Sequence, residues 1–175
     1  MYGDEEKYNE IRASMLAQLE KRKSKYQDIG IISDVEIVEL KEKLSPLEDD
    51  KPCPKRKWFT APEMAQLLAD AERKIVVIVD VKRIHASTTF VPLFGLFDIE
   101  KDPIVLLNCD NKHWMHATID KTCLPPINPY SKSKYRENDC KNILQEFETL
   151  TKNWQQHVAK PKSEQLIKFR DVIDI

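Results

Sequence analysis

Two histidines that stand three residues apart are the first candidates for chemistry in this sequence. His113 and His116 lie in a segment that predicts a strand ending near Ile119. Side chains alternate between the two faces along a strand, so residues three apart point to opposite sides and cannot share a metal ion. His113 follows a polar turn and opens the strand, a position typical of a general acid or base. The alternative is a strand-end histidine that only makes a hydrogen bond.

The other candidate reactive groups are the four cysteines, at positions 53, 109, 123 and 140. They form no Cys-x-x-Cys pair, so neither structural zinc nor a disulfide scaffold is expected, and partly buried reduced thiols fit at least three of them. The three glycines are too few for a glycine-rich phosphate loop, which excludes the common nucleotide-binding enzymes. Asp120 lies roughly 20 Å along the strand from His113, too far to orient its ring. No cofactor or metal is expected.

The composition limits the class of protein. A chain of 175 residues is expected to form one domain with a single core. Its 28 Lys and Arg residues nearly cancel its 29 Asp and Glu residues, which gives no general attraction to nucleic acid or to an anionic membrane. The longest apolar run, 75–79, is too short to span a bilayer, and the acidic start is unlike a signal peptide. We therefore expect an intracellular protein, cytoplasmic or nuclear, with no nucleic-acid or membrane partner and an undetermined oligomeric state.

Hydrophobic periodicity predicts helices, then strands, then a helix. The order is typical of an α+β layered domain. Spacing between the last three strands is short and hairpin-like, which predicts a mostly antiparallel sheet, and the first strand is apolar throughout, as in strands covered on both faces. The predicted helices are 5–28, one starting at Ser33 and one starting at Thr60, then a long one capped by Asn138 or Asp139 and ended by Pro161; the strands are 74–80, 87–93, 104–108 and 113–119.

Capping signals support the predicted helices. Ser33 with Glu36, and Thr60 with Glu63, have the spacing of capping boxes. The first helix carries a basic cluster in its last turns and is expected to stop at Gly30. No aromatic residues alternate with these cations, so we interpret the cluster as a solvated helix end. Its members are Lys21, Arg22, Lys23 and Lys25.

Four segments in order resemble the ovarian-tumour (OTU) family of cysteine proteases, in the version carried by transposon-derived proteins. The resemblance covers the chain to about residue 129 and implies an OTU-like fold, a small mostly antiparallel sheet packed between helices, with residues 1–160 as a partial domain and 161–175 as a tail. It also implies deubiquitinase chemistry, with ubiquitin or a ubiquitin-like protein as partner and His113 as the catalytic histidine. The segments are YGDEEKYNEIRASMLAQL, KWFTAPEMAQLLA, STTFVPL and the run IVLLN…HWMHATI…CLPPI.

The sequence departs from the family pattern in two places. The family's nucleophile lies in an Asp-Gly-x-x-Cys turn upstream of the first matching segment, and the 175 residues contain no such turn. We therefore expect an N-terminally truncated domain that is inactive because it lacks this turn. Second, many members place a polar residue two positions after the histidine, where this chain has Met115. An alternative is a non-catalytic remnant that still holds ubiquitin or another protein.

A rival resemblance is to proteases of ubiquitin-like modifiers, whose histidine strand also reads His-Trp, as in HWMHATID here. In that class the cysteine follows the histidine, and Cys140 follows His113 by 27 residues, at a predicted helix start that would lower its pKa. That separation is short for the architecture. The alternative for Cys140 is a half-exposed thiol in the first turn of a helix.

Overall fold

The computed structural model describes residues 5–47, 53–109, 113–137 and 141–159. These residues form five α-helices and one mixed four-stranded sheet, an α+β architecture. The helices are α1 (Glu5–Asp28), α2 (Asp34–Leu44), α3 (Glu63–Glu72), α4 (Pro129–Glu137) and α5 (Lys141–Val158), and the strands are β1 (Val76–Asp80), β2 (Thr88–Phe90), β3 (Ile104–Cys109) and β4 (His113–Ala117).

The strand order in the sheet is β2-β1-β3-β4. Strand β1 is antiparallel to β2 and parallel to β3, while β3 and β4 form an antiparallel hairpin. The predicted hairpin spacing is therefore confirmed for β3 and β4 but wrong for β2 and β3, which lie on opposite sides of β1. Strand β1 is buried along its whole length. Strands β2 and β3 lie on either side of it and complete its backbone hydrogen bonds.

Helices cover both faces of the sheet. On one face, Val76 and Ile78 pack in a core with buried residues of α1, α2 and α3. On the other face, Val77 and Val79 pack in a second core with Trp154 and other residues of α4 and α5. The alternation of the β1 side chains between two cores explains why its sequence is apolar without interruption as far as Val79. None of the helices in the ranges given above has both the length and the apolar character needed to cross a membrane.

Helix α1 ends and helix α2 begins where the sequence predicts. Gly30 has a φ of +68°, and its backbone N–H donates to the Gln27 carbonyl oxygen at 2.9 Å, which closes the end of α1 in the left-handed conformation that glycine favours. At α2 the predicted capping box is confirmed: the Glu36 N–H donates to Ser33 Oγ at 3.3 Å, and the Ser33 N–H donates to Glu36 Oε2 at 2.7 Å.

The start of α3 differs from the prediction. The helix begins at Glu63, Pro62 occupies the capping position, and no side chain caps the helix there. Thr60 Oγ1 instead accepts a hydrogen bond from Lys43 Nζ at 3.3 Å, so the predicted capping box between Thr60 and Glu63 is wrong. Because proline has no N–H, the first turn has one donor fewer to satisfy, and the helix tolerates the missing cap.

Helix α4 was not predicted from the sequence. It is short and strongly polar, and it contributes Tyr135 to the second core while Ser131 is fully buried. A single inward aromatic in nine residues gives no periodic pattern. The predicted caps of the last helix, Asn138 and Asp139, lie outside the described residues, as does the predicted tail 161–175.

A buried hydrogen-bond network connects the helices to the end of β2. Its centre is the carboxylate of Asp70 on α3, whose Oδ2 accepts from the Tyr26 hydroxyl at 2.8 Å and from Gln66 Nε2 at 3.3 Å. Its other oxygen, Oδ1, accepts from the backbone N–H of Leu93. Gln66 Nε2 also donates to the Val91 carbonyl oxygen at 3.0 Å. One acid thus holds α1, α3 and the segment after β2 together.

The same network continues to the residues before and within α4. Gln66 Oε1 accepts from Asn128 Nδ2 at 3.1 Å and from Ser131 Oγ at 3.3 Å. Asn128 Oδ1 in turn accepts from the Ser131 N–H at 2.8 Å, at the first turn of α4. Asn128 and Ser131 are both buried, so these bonds replace water that the side chains would otherwise need.

We predict that Asp70 makes stability depend on pH. Burial raises the pKa of Asp70 to about 6, against the hydrogen bonds that lower it, so the folded chain keeps a proton that the unfolded chain releases near pH 4. This contribution to the free energy of unfolding is complete below about pH 4 and is lost as the pH rises through about 6. The unfolding free energy of the native chain minus that of Asp70→Asn should therefore fall by about 2 kcal/mol between pH 4.5 and 7.5.

Urea unfolding at a series of pH values measures this difference. The matched control is Asp102→Asn, which removes the same charge at an exposed position. A difference that is flat with pH for Asp70→Asn would show that the buried carboxyl titrates like one in the unfolded chain.

Candidate active site

The predicted catalytic histidine lies at one end of the sheet, where the carboxyl ends of β1 and β3 meet the start of β4. Asp80 pairs with Asn108, Asn108 pairs with Trp114, and Cys109 pairs with His113. The carboxyl ends of parallel strands are a common place for ligands and catalytic groups. His113 opens β4 as the sequence predicts.

The residues that follow His113 confirm the predicted alternation of faces. Trp114 is buried in the core shared with α1, α2 and α3, where its ring packs edge-on against Phe59 with 5.1 Å between the centroids. Met115 and Ala117 pack in the core on the other face. Every second residue of a strand lies on the same face. Position 116 therefore lies on the face of Trp114 and position 113 on the face of Met115, so the two histidine positions are on opposite faces.

Cys109 is the cysteine that the backbone brings beside His113. The predicted strand 104–108 stops one residue short of Cys109, but Cys109 is the last residue of β3 and the cross-strand partner of His113. Its half-buried side chain lies with Sγ 3.4 Å from Met115 Sδ. Sequence reasoning missed this pairing because the apolar pattern of β3 ends at position 108.

The other cysteines have different surroundings. Cys53 accepts a hydrogen bond from Trp58 Nε1 at its carbonyl oxygen, and burial raises the pKa of its thiol although Arg12 and Lys57 oppose the shift. Cys123 lies in the turn after β4, where its N–H donates to the Asp120 carbonyl oxygen at 2.9 Å. Cys140, the nucleophile of the rival interpretation, lies outside the described residues.

Asp80 is held by its own loop. Its Oδ1 accepts from the Lys82 and Arg83 backbone N–H groups, and its Oδ2 accepts from Arg83 Nε at 3.0 Å and Nη2 at 2.9 Å. Burial alone would raise the pKa of Asp80, but the hydrogen bonds from Arg83 outweigh it and hold the pKa below its usual value. Two strand spacings, about 10 Å, separate the Asp80 backbone from β4, so this carboxylate shapes the sheet end and does not reach a group on β4 directly.

Asp120 is engaged in a local turn. Its Oδ1 accepts from the Thr122 hydroxyl at 2.7 Å and from the Thr122 N–H at 2.9 Å. These hydrogen bonds hold the pKa of Asp120 below its usual value. The carboxylate thus stabilises the turn after β4, as expected for a residue beyond the far end of that strand.

Comparisons with other proteins assign no family. Neither a protein-family model, a curated protein nor a solved structure matches the chain. Within the described ranges, no three His, Cys, Asp or Glu side chains come close enough together to hold a metal ion. The arrangement at the sheet end therefore has to be interpreted from its own residues.

We predict that the Arg83 side chain sets the acidity of Asp80. Arg83→Met removes two of the four hydrogen bonds to the carboxylate together with the positive charge, so the pKa of Asp80 should rise toward or above its ordinary value. Carbon-13 NMR titration of the carboxyl carbon measures this change, with Arg56→Met as the control because the Arg56–Glu42 pair is exposed and distant in sequence. An unchanged titration in Arg83→Met would mean that the backbone N–H groups alone fix the carboxylate.

Proposed function

We propose that this chain is the histidine-bearing part of an OTU-like cysteine peptidase domain that acts on ubiquitin or a ubiquitin-like protein. In this proposal His113 is the general base, and the thiol nucleophile belongs to an Asp-Gly-x-x-Cys turn that the 175 residues do not contain. The proposal rests on the resemblance of four segments and on how these segments pack together.

The observation that carries the proposal is a direct hydrogen bond between each resembling segment and the next. Segments that form one domain must contact one another, and each of these segments contacts the next. The bonds run from Arg12 Nη1 to the Lys57 carbonyl oxygen (3.2 Å), from Gln66 Nε2 to the Val91 carbonyl oxygen (3.0 Å) and from Thr89 Oγ1 to the Pro125 carbonyl oxygen (2.7 Å).

All three bonds are more than surface contacts. Arg12, Gln66 and Thr89 are buried, with at most 2 % of each residue exposed. A buried polar side chain is costly unless its partner is in place, so each bond fixes the relative position of two segments. The last of these segments includes β4, which begins with His113.

The chemistry assigned to His113 needs a position that substrate and thiol can both reach. A neutral imidazole takes the proton from the cysteine thiol, and the thiolate attacks the carbonyl carbon of the isopeptide bond. The resulting imidazolium then gives its proton to the departing lysine amine. The first position of the edge strand β4, at the end of the sheet where β1 and β3 terminate, is a position of that kind.

We expect the 175-residue chain by itself to show no turnover of a ubiquitin–fluorophore conjugate and no labelling by an electrophilic ubiquitin probe. A positioned histidine without a thiolate gives only weak general-base help. Turnover that Cys140→Ala abolishes would support the rival protease class, and turnover that Cys109→Ser abolishes would assign the nucleophile to the cross-strand partner of His113.

A fusion tests the assignment of His113. An Asp-Gly-x-x-Cys turn with its following helix is joined ahead of residue 1, which places the new thiol at a helix N-terminus where the dipole favours the thiolate. Probe labelling should then be gained, and His113→Ala should lower turnover at least about 100-fold, the usual contribution of a general base.

His116→Ala is the matched control in the fusion, because its position lies on the opposite face of β4. It should change turnover by no more than about threefold. Both variants should keep the thermal unfolding midpoint of the parent. If His116 proves essential and His113 dispensable, the assignment of the general base is wrong; if the fusion never reacts with the probe, the proposed peptidase class is wrong.

A further inference from the structure

A basic surface surrounds the loop that follows β2. We name it the Phe94 surface and define it by Phe94, Leu96, Arg22, Lys25 and Lys134. The two apolar residues come from the loop, the arginine and one lysine from α1, and the second lysine from α4. The sequence predicts a solvated helix end here because no aromatic residue alternates with the cations, but folding brings the ring of Phe94, about 70 positions away, into contact with Arg22 and Lys25.

Three cations gather on one aromatic ring. Lys134 Nζ lies 3.8 Å, Arg22 Cζ 5.1 Å and Lys25 Nζ 5.9 Å from the centroid of the Phe94 ring. Each such contact is attractive, and the cations also repel one another. The ring itself is fixed from below by Tyr26, whose centroid lies 5.3 Å away in an edge-on arrangement. The positive charges are therefore held on a rigid support.

Arg22 and Lys25 on α1 give the Phe94 surface positive charge. No salt bridge to Arg22 or Lys25 is formed by any residue within the described ranges, and the buried Nε of Arg22 lacks a hydrogen-bond partner there. A further cation borders the loop, since a Cβ on Gly95 would lie 3.9 Å from Arg73 Nε. A chain with nearly balanced total charge thus concentrates positive charge at one place.

An apolar side chain lies two residues after Phe94 in the same loop. Leu96 is 92 % exposed, the most exposed of the large apolar residues in the described part of the chain. The preceding Gly95 has a φ of +87°, a conformation that other residues rarely adopt, so glycine at this position supports the turn that comes before the exposed Leu96. An exposed leucine in the same loop as the cation-bound Phe94 is suited to a partner that has both negative charge and an apolar pocket or side chain.

We propose that the Phe94 surface binds an acidic segment of a partner protein that carries apolar side chains among its carboxylates. Protein is favoured over single-stranded nucleic acid for two reasons. Bases bind such surfaces by stacking on an open aromatic face, whereas the Phe94 ring already carries three cations. The exposed apolar residue of the surface, Leu96, is aliphatic, and protein side chains bury aliphatic groups well. The proposal does not depend on the peptidase chemistry.

Fluorescence anisotropy with a defined probe tests the proposal. The probe is a fluorescein-labelled 12-residue peptide of Asp and Glu with one Leu and one Phe, titrated with the 175-residue chain at 50 mM salt. We expect saturable binding that weakens as salt rises, since exposed charges are screened over about 10 Å at 0.1 M. The double variant Arg22→Glu/Lys25→Glu should weaken binding at least about tenfold, because it replaces two attractions by repulsions.

Two further measurements separate specific docking from diffuse attraction. Lys101→Glu/Lys152→Glu makes the same change of charge at exposed lysines elsewhere and should weaken binding by no more than about twofold. Leu96→Ser leaves the charge unchanged and removes an almost fully exposed side chain, so it should not unfold the protein, yet it should weaken binding about threefold or more.

Several outcomes would overturn the proposal. These are absence of saturable binding, equal losses in the two double variants, and equal binding of a peptide in which Leu and Phe are replaced by Ser. A 12-residue oligouridine that binds more tightly than the peptide and displaces it would assign the surface to nucleic acid instead.

Discussion

The buried carboxylate of Asp70 is the constraint on which the rest of this fold depends. It accepts hydrogen bonds from Tyr26 on α1, from Gln66 on its own helix and from the backbone after β2. Taking a carboxylate out of water is costly, and the raised pKa of Asp70 reflects that cost. Only a complete set of donors compensates for it, so α1, α3 and β2 have one mutual arrangement in which the acid is satisfied. The opposite helical layer joins the same network through Asn128 and Ser131.

Local features of the fold could be predicted from the sequence because local chemistry determines them. The glycine after α1, the capping box of α2 and the uninterrupted apolar run of β1 each indicated the observed element. The strand order could not be predicted, because short connections allow β2 to pair with either β1 or β3. The polar network was also missed, although Gln66 and Asp70, four residues apart within the apolar run of α3, form a signal: polar side chains on a helix face that must be buried need partners from elsewhere.

For the candidate site, the sequence predicts the position of His113 and the separation of the faces of β4, but not the neighbour of His113. Cys109 lies opposite His113 only because the hairpin register extends one residue further than the apolar pattern suggests. The likeness to a peptidase family remains a proposal supported by contacts between the resembling segments. The Asp70 network also supports the Phe94 surface, since the loop that donates its Leu93 N–H to Asp70 is the one that presents Phe94 to the cations.

The buried Asp70 network holds α1, α3 and the segment after β2 in one rigid arrangement, and native-state hydrogen exchange of the Leu93 amide tests this most directly. Leu93 lies outside any strand, and its N–H donates to a side chain. The account predicts exchange as slow as that of the β1 amides, at least about a thousandfold slower than in an unprotected loop, with the exposed Leu96 amide as the fast internal reference. Exchange of Leu93 at the rate of Leu96, while β1 remains protected, would contradict it.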